Sequence, residues 1–420
     1  MPDLSFIHTA DLHLDSPFAT LARENADIAS AMRSAAFSAF ENIIDVCLKE
    51  KVDFLLIAGD VYDSEDRSLR AQVRFRDGLK KLSDAGIDSF IVHGNHDPVG
   101  SWSASLEWPE RVHIFGDRLE SFKATRGNEV LAVIQGISYP RRNEKRNLSL
   151  MFGRTGESTF HIGLLHANAG TNTGHEPYAP CTLDDLKRAG MDYWALGHVH
   201  EKRILSETAP AVLYPGNTQG RSIRETGEKG CFLVKVDDQY NISKRFIPTH
   251  AIGWEVEEIT AGGLLTEQDL ISRLEQRCRE ISEEASKPVI VRFMVKGRSP
   301  LSKTFMMPAA VSDLLDITRD TGISCSPFVW VEGIKTDISP EMDLEAIIKQ
   351  ESFAGELLRF CEELIGGDDF DRFAEEELST LFEGSPAGKI IAPPGCERLV
   401  SLLREAGTIC MEGLLSEDGK

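Results

Sequence analysis

Apolar positions fall into two rhythms along this chain. Leu4–Ala10, Val52–Ala58 and Ile87–His93 are short, mainly apolar runs rich in β-formers, which predicts buried strands. Between them, Ile28, Met32, Phe37, Phe40, Ile43, Ile44 and Cys47 recur at helical spacing within residues 25–50. Leu69–Ala85 reads as a second helix with basic residues outward and Gly86 at its C-cap. Strand, helix, strand, helix, strand predicts right-handed crossovers and a parallel sheet. Past residue 110 the rhythm changes to short strands: Val112–Phe115, Val130–Gln135, Phe160–His166, Tyr193–Leu196, Ala211–Tyr214, Gly230–Val236 and Ile242–Phe246. One helix near Leu183–Ala189 interrupts them. These runs predict a second sheet packed on the first, an α/β fold with four α/β/β/α layers over residues 1–250.

Near residue 250 the pattern shifts again. Trp254–Ile259, Pro288–Lys296 and Pro327–Val331 read as strands, and Glu267–Ile281 and Val311–Thr318 as helices. This β-α-β-α-β run predicts a small α/β domain over residues 251–335. Residues 336–420 predict an acidic helical C-terminal segment, with Leu344, Ile347, Ile348, Leu357, Leu358, Cys361, Leu364 and Ile365 on one face. Two shorter helices, Asp371–Phe382 and Glu397–Ala406, are expected around a Gly/Pro-rich joint at Gly384–Gly395.

Composition narrows the function classes. Hydrophobic residues make up 41% of the 420 and charged residues 27%, as in ordinary globular proteins. The net charge is -21, and from residue 251 onward 33 acidic residues face 17 basic ones. The first 250 residues are therefore close to balanced. Acidity excludes a general nucleic-acid coat but leaves room for a local basic groove. No run reaches membrane-spanning length, so no membrane is expected, and Met1-Pro2-Asp3 lacks the basic start of a secretion signal. The eight cysteines contain no C-x-x-C pair, which points to reduced thiols in the cytoplasm.

Five stretches carry the chemistry: Asp11-Leu12-His13, Gly59-Asp60-Val61-Tyr62-Asp63, Gly94-Asn95-His96-Asp97, Leu165-His166-Ala167 and Gly197-His198-Val199-His200. Each follows a predicted strand, and ligands sit beyond the carboxyl ends of such strands. A lone D-x-H or H-x-H is uninformative; five donor stretches at strand ends are not. Hydrolysis of a phosphate ester needs a strong nucleophile and neutralised phosphoryl oxygens, which two divalent ions about 3.5–4 Å apart provide. Asp60 is the expected bridging carboxylate. Asp11, His13 and His200 complete one ion, and Asn95, His166 and His198 the other. Two carboxylates against two dications leave the centre positive, which attracts an anionic substrate. His96 is the expected general acid, oriented and kept protonated by Asp63. Of the other histidines, His175 is notable for lying in the turn-rich Gly170–Pro180 loop, a candidate lid or substrate loop.

At these residues the chain resembles the calcineurin-like metallophosphoesterase superfamily, and within it the SbcD-type DNA repair nucleases, especially the YhaO family. The resemblance is carried by His8-Thr9-Ala10-Asp11-Leu12-His13-Leu14, Ala58-Gly59-Asp60-Val61-Tyr62-Asp63, His93-Gly94-Asn95-His96-Asp97 and Tyr214-Pro215-Gly216-Asn217-Thr218-Gln219-Gly220-Arg221. It is strong over residues 1–250, weaker over 251–335, and topological beyond. It implies the four-layer metallophosphoesterase sandwich and a site for two divalent ions, foremost Mn2+, with Mg2+, Zn2+ and Fe2+ as alternatives. It implies 3′-to-5′ exonuclease and endonuclease activity in DNA repair and a homodimer. It also implies a small α/β domain capping the DNA groove, and a C-terminal helical segment docking on an SbcC-like (YhaN-like) coiled-coil ATPase. Archaeal and eukaryotic nucleases of the group carry a His where this chain has Asp63; the Asp agrees with bacterial relatives and with the protein phosphatases.

If DNA is the substrate, its phosphates need cations near the crevice. Arg141, Arg142, Lys145 and Arg146 form one basic cluster, and Arg221 and Arg224 another. Aromatic residues are sparse among them, so base stacking is not indicated. Two further readings share the platform. One is a phosphomonoesterase or small-molecule or cyclic-nucleotide phosphodiesterase. The other is a regulatory binding subunit of the ATPase complex.

Overall fold

The structure is a computed structural model of the chain, and it describes residues 3–63, 68–156, 159–170, 176, 178–341, 344–367, 370, 372–373, 377 and 396–417. His175 and most of the Gly170–Pro180 loop lie outside the described residues, as do most of Asp371–Phe382 and the Gly384–Gly395 joint.

The strand β2 (Phe54–Ala58) explains the layering. Alternate side chains of a strand point to opposite faces. Phe54, Leu56 and Ala58 enter a core with Phe90, Ile134, Phe160, Ile162 and Leu164, which lies between two sheets. Leu55 and Ile57 face Phe40, Ile43 and Ile44 of α2 (Ala26–Glu50) and Phe75 and Leu79 of α3 (Leu69–Asp84). Both faces are dry, so the strand reads as a continuous apolar run. Both helices begin at side-chain caps: Asn25 accepts from the Asp27 and Ile28 amides, and Ser68 from that of Ala71.

The first sheet has six strands in the order β12-β11-β1-β2-β3-β4, where β1 is Leu4–Thr9, β3 Asp88–Val92, β4 Val112–Ile114, β11 Gly230–Val236 and β12 Ile242–Pro248. Strands β1 to β4 are parallel, while β11 runs antiparallel to both of its neighbours, β1 and β12. Three segments expected in the second sheet, at residues 112–115, 230–236 and 242–246, therefore belong to the first. Residues 112–114 add in parallel to β3 at one edge, and at the other the free side of β1 has backbone groups that need partners. Strand β11 supplies them, in a register that pairs Leu4 with Val236 and His8 with Phe232.

The second sheet is ordered β5-β6-β7-β8-β10-β9. Its parallel centre is β6 (Glu129–Ile137), β7 (Phe160–His166), β8 (Tyr193–Gly197) and β10 (Ala211–Tyr214). Its antiparallel edges, β5 (Glu120–Arg126) and β9 (Arg203–Ser206), were not expected from the sequence. On the outer face Leu165, Trp194, Leu196 and Val212 pack with Leu148, Phe152 and Leu186, the last on α4 (Leu183–Arg188). The result is the expected α/β/β/α order.

The chain separates into two compact units: residues 1–257, 276–292 and 319–333, and residues 258–275, 293–318 and 334–420. In the first, Leu21 of α1 (Ala19–Glu24) and Ile28 and Met32 of α2 share a core with Ile252, Trp254, Ile290 and Trp330. The later elements are β13 (Gly253–Thr260), α5 (Glu267–Glu284), β14 (Val289–Arg298), α6 (Ser302–Phe305), α7 (Pro308–Ser324) and β15 (Val329–Ser339), with a three-stranded sheet ordered β13-β14-β15. Helices α8 (Leu344–Ile348), α9 (Phe353–Gly366) and α10 (Cys396–Glu417) follow. Among the described residues, no helix is long and apolar enough to cross a membrane.

Candidate metal centre

Five of the parallel strands end at the same place. Beyond β1 and β2 the two chains stay hydrogen-bonded: the Asp11 amide donates to Gly59 O at 3.0 Å, His13 to Asp60 O at 3.1 Å and Leu14 to Val61 O at 3.0 Å. Asp11, His13, Asp60 and His198 all have left-handed backbone, with φ of 52°, 44°, 51° and 99°. Each such non-glycine conformation costs on the order of 1–3 kcal/mol, and persists where surrounding structure holds a functional geometry. The glycines of the motifs make room. A Cβ on Gly94 would come within 2.3 Å of Asp60 Oδ1 and 2.7 Å of His166 Nε2, and one on Gly197 within 1.9 Å of Ala58 O.

The expected ligands converge. Asp11, His13, Asp60 and His200 each offer one donor atom, all within 4.8 Å of one another. Nε2 of His13 lies 3.2 Å from Nε2 of His200. Asp60 Oδ2 lies 3.9 Å from His13 Nε2 and 3.4 Å from His166 Nε2, so this carboxylate stands between two sets of donors. In the second set, Asn95 Oδ1 is 3.0 Å from His166 Nε2 and 3.2 Å from His198 Nδ1. His166 Nδ1 faces Ala58 O at 2.9 Å, which fixes the ring and leaves Nε2 toward Asp60 and Asn95. Hard carboxylate and amide oxygens mixed with imidazoles suit divalent ions of the Mn, Mg, Zn and Fe type. By its chemistry the donor set suits such ions.

The charges point the same way. Burial lifts the Asp11 carboxyl above its ordinary value. Burial would lift Asp60 too, but His166 and His13 hold it well below the carboxylate range. Burial pulls His166 down, yet the Asp60 carboxylate raises it to about 9. Burial lowers His13 to about 3. In the protein alone a proton on His166 supplies the positive charge that buried Asp60 requires.

His96 and Asp63 flank this group. The His96 ring is half-exposed, and its Nδ1 lies 3.1 Å from the Asp63 carbonyl oxygen and 3.6 Å from the Asp63 carboxylate. That carboxylate sits closer to His13 Nδ1, at 2.8 Å, and also binds Arg221. Sequence reasoning missed two residues. Asp97 accepts from the Val61 amide at 3.0 Å and the Gly94 amide at 2.8 Å, and lies 2.9 Å from His93 Nδ1, so it ties the Asp60 and Asn95 loops together. Its place in the G-N-H-D stretch was the available signal. Glu225 accepts from His200 Nδ1 at 2.9 Å and has no spacing signal.

The basic residues divide. Arg141, Arg142, Lys145 and Arg224 are exposed. Arg146 is held by buried Glu144, with Nη2 to Oε2 at 2.6 Å. The Glu144 carbonyl accepts from the Ala179 amide at 2.8 Å, and the Glu176 carbonyl lies 2.9 Å from His198 Nε2. The 141–146 loop is thereby tied to the segment over the donor group. Arg221 lies within the donor surroundings themselves, with its side chain 22% exposed.

Residues 4–202 match the family described as calcineurin-like phosphoesterase, and residues 254–339 match the middle domain of metallophosphoesterase YhaO. The chain is 35% identical to the uncharacterized metallophosphoesterase YhaO of Bacillus subtilis over 91% of its own length and 90% of the relative's. It is 26% identical to the DNA double-strand break repair protein Mre11 of Aeropyrum pernix, over 72% of this chain and 76% of that one. With the protein of that name from Archaeoglobus fulgidus it shares 24% identity over 88% and 82%.

Proposed function

Because this chain belongs to the calcineurin-like phosphoesterase family and is a metal-dependent hydrolase, we propose that it is a two-cation phosphodiesterase that cuts DNA. In this reading it is a 3′-to-5′ exonuclease and endonuclease of DNA repair. The observation that carries the proposal is the convergence of Asp11, His13, Asp60 and His200 donors within 4.8 Å, next to the Asn95, His166 and His198 set. Bound divalent ions supply a hydroxide at neutral pH and neutralise the phosphoryl oxygens. Asp11, His13, Asp60 and His200 would hold one ion; Asp60, Asn95, His166 and His198 would hold the other. We take Mn2+ as the working ion. His96 donates the proton that the leaving oxygen needs, and the Asp63 carbonyl and carboxylate hold its ring in place.

DNA as substrate is supported by the relatives bearing the name double-strand break repair protein. The exposed Arg141, Arg142 and Lys145 add to it, on a loop tied to the segment over His198. In the same reading residues 251–335 cap the groove and residues 336–420 dock on an SbcC-like coiled-coil ATPase. Two copies of the chain act together in the cytoplasm. The test is cleavage of 3′- and 5′-end-labelled duplex DNA with Mn2+, with a chelator as control. Stepwise shortening from the 3′ end is expected. Intact DNA alongside rapid hydrolysis of p-nitrophenyl phosphate would replace this reading with a phosphomonoesterase.

A further inference from the structure

His13 and His200 present their Nε2 atoms to one another across 3.2 Å, and a carboxylate lies behind each ring. Asp63 Oδ1 lies 2.8 Å from His13 Nδ1, and Glu225 Oε1 accepts from His200 Nδ1 at 2.9 Å. These two carboxylates are 162 positions apart in sequence, yet one side chain lies against both. Arg221 Nη1 donates to Asp63 Oδ1, its Nη2 lies 3.6 Å from Glu225 Oε1, and its backbone amide donates to Glu225 Oε2 at 2.8 Å. Asn217 Nδ2 donates to the same Oε2 at 2.7 Å.

We propose that Arg221 is a positioning residue: its guanidinium joins the Asp63 and Glu225 carboxylates into one brace that sets His13 and His200 for the first of the two ions. The inference rests on the two-cation reading above. The second ion's His166 is oriented differently, by the main-chain carbonyl of Ala58 at 2.9 Å. Damage to the brace therefore affects one ion and spares the other. A guanidinium suits this task because its rigid fork hydrogen-bonds Asp63 and still sets positive charge beside Glu225, whereas an ammonium is a single point charge.

The experiment titrates the full-length, metal-free chain with Mn2+ by calorimetry and by electron paramagnetic resonance. Wild type, Arg221→Met, Arg221→Lys and Glu225→Gln are compared. Wild type is expected to take up two ions and give the exchange-coupled spectrum of a pair. In Arg221→Met one ion binds as before and the other about 10- to 100-fold more weakly, as for other residues that orient a ligand from behind. At one equivalent the variant gives an isolated six-line Mn2+ signal. Arg221→Lys recovers part of the affinity, and Glu225→Gln, which keeps the size of the side chain, reproduces the selective loss. Wild type that fails to bind two ions would overturn the two-cation reading. Wild type and Arg221→Met that bind both ions equally would overturn the Arg221 inference alone. A raised KM for the phosphodiester in that second case would reassign the guanidinium to the substrate.

Discussion

The backbone amide of His96 donates to Oδ1 of Asp60 at 2.9 Å, so the proposed proton donor is held at a fixed offset from the proposed bridging carboxylate. His96→Ala removes the ring but keeps that amide. Metal content should stay at the wild-type value, while turnover on DNA falls about 10²- to 10⁴-fold, the usual contribution of a general acid. A p-nitrophenyl phosphodiester, whose leaving group needs no proton, should lose much less. Equal losses on the two substrates would exclude His96 as the acid.

Gly94 has no room for a side chain. A Cβ there meets Asp60 Oδ1 at 2.3 Å and His166 Nε2 and Cδ2 at 2.7 and 2.8 Å. Gly94→Ala should cost about 1–3 kcal/mol of stability through overpacking and displace two donors at once. Weaker Mn2+ binding by calorimetry, with the chain still folded by circular dichroism, is the expected result. Unchanged affinity would mean that the Asp60 and His166 positions are not what binding depends on.

His8 is buried between the sheets, with Nδ1 2.9 Å from the Tyr193 hydroxyl and Nε2 3.2 Å from Leu196 O. Burial lowers its pKa to about 3, against the backbone bond, which raises it; burial also raises the neighbouring Tyr193, so that pair stays neutral. The unfolded state binds this proton at a higher pH than the folded state, so stability from this group is full above about 6.5 and is lost as pH falls toward 3. The ceiling is about 4–5 kcal/mol at about 1.4 kcal/mol per pH unit. Urea midpoints measured from pH 7 to 4 should therefore fall more steeply for wild type than for His8→Gln. Parallel curves would remove His8 from the acid sensitivity.

Arg141 and Arg142 are exposed on the loop tied through Glu144 and Ala179 to the segment over the donor group. The double change to alanine should weaken DNA binding and flatten its salt dependence by up to about 0.9 in slope for each phosphate no longer neutralised. Hydrolysis of a p-nitrophenyl phosphodiester should not change. An unaltered salt slope would place DNA elsewhere on the surface.

Much of this was legible in the order of the residues, for identifiable reasons. The central strands of both sheets announce themselves because both of their faces are dry, as in Phe54–Ala58, all five residues of which are buried. The edges do not. Strand β5 reads Glu-Ser-Phe-Lys-Ala-Thr-Arg, largely solvated, and no apolar rhythm marks it. Nor could pattern say which sheet Gly230–Val236 would join, because an apolar strand satisfies either; pairing with β1 decided it. At the centre, donors adjacent to glycine at strand ends were readable. Glu225 was not, because it acts on a ring 25 positions away through a hydrogen bond that only the fold creates. Arg221 was read as a phosphate-binding residue from its charge, and its side chain lies on Asp63 and Glu225.

The antiparallel pairing of β1 with β11 has a consequence for synthesis on the ribosome. Leu4–Thr9 finds its partner on one side within some fifty residues but waits for residues 230–236 on the other. Until then its bare flank is exposed, and the inter-sheet core lacks Phe232 and Val234. A fragment ending at residue 202, where the phosphoesterase family match stops, would hold every proposed donor and still present an open sticky border to other nascent chains.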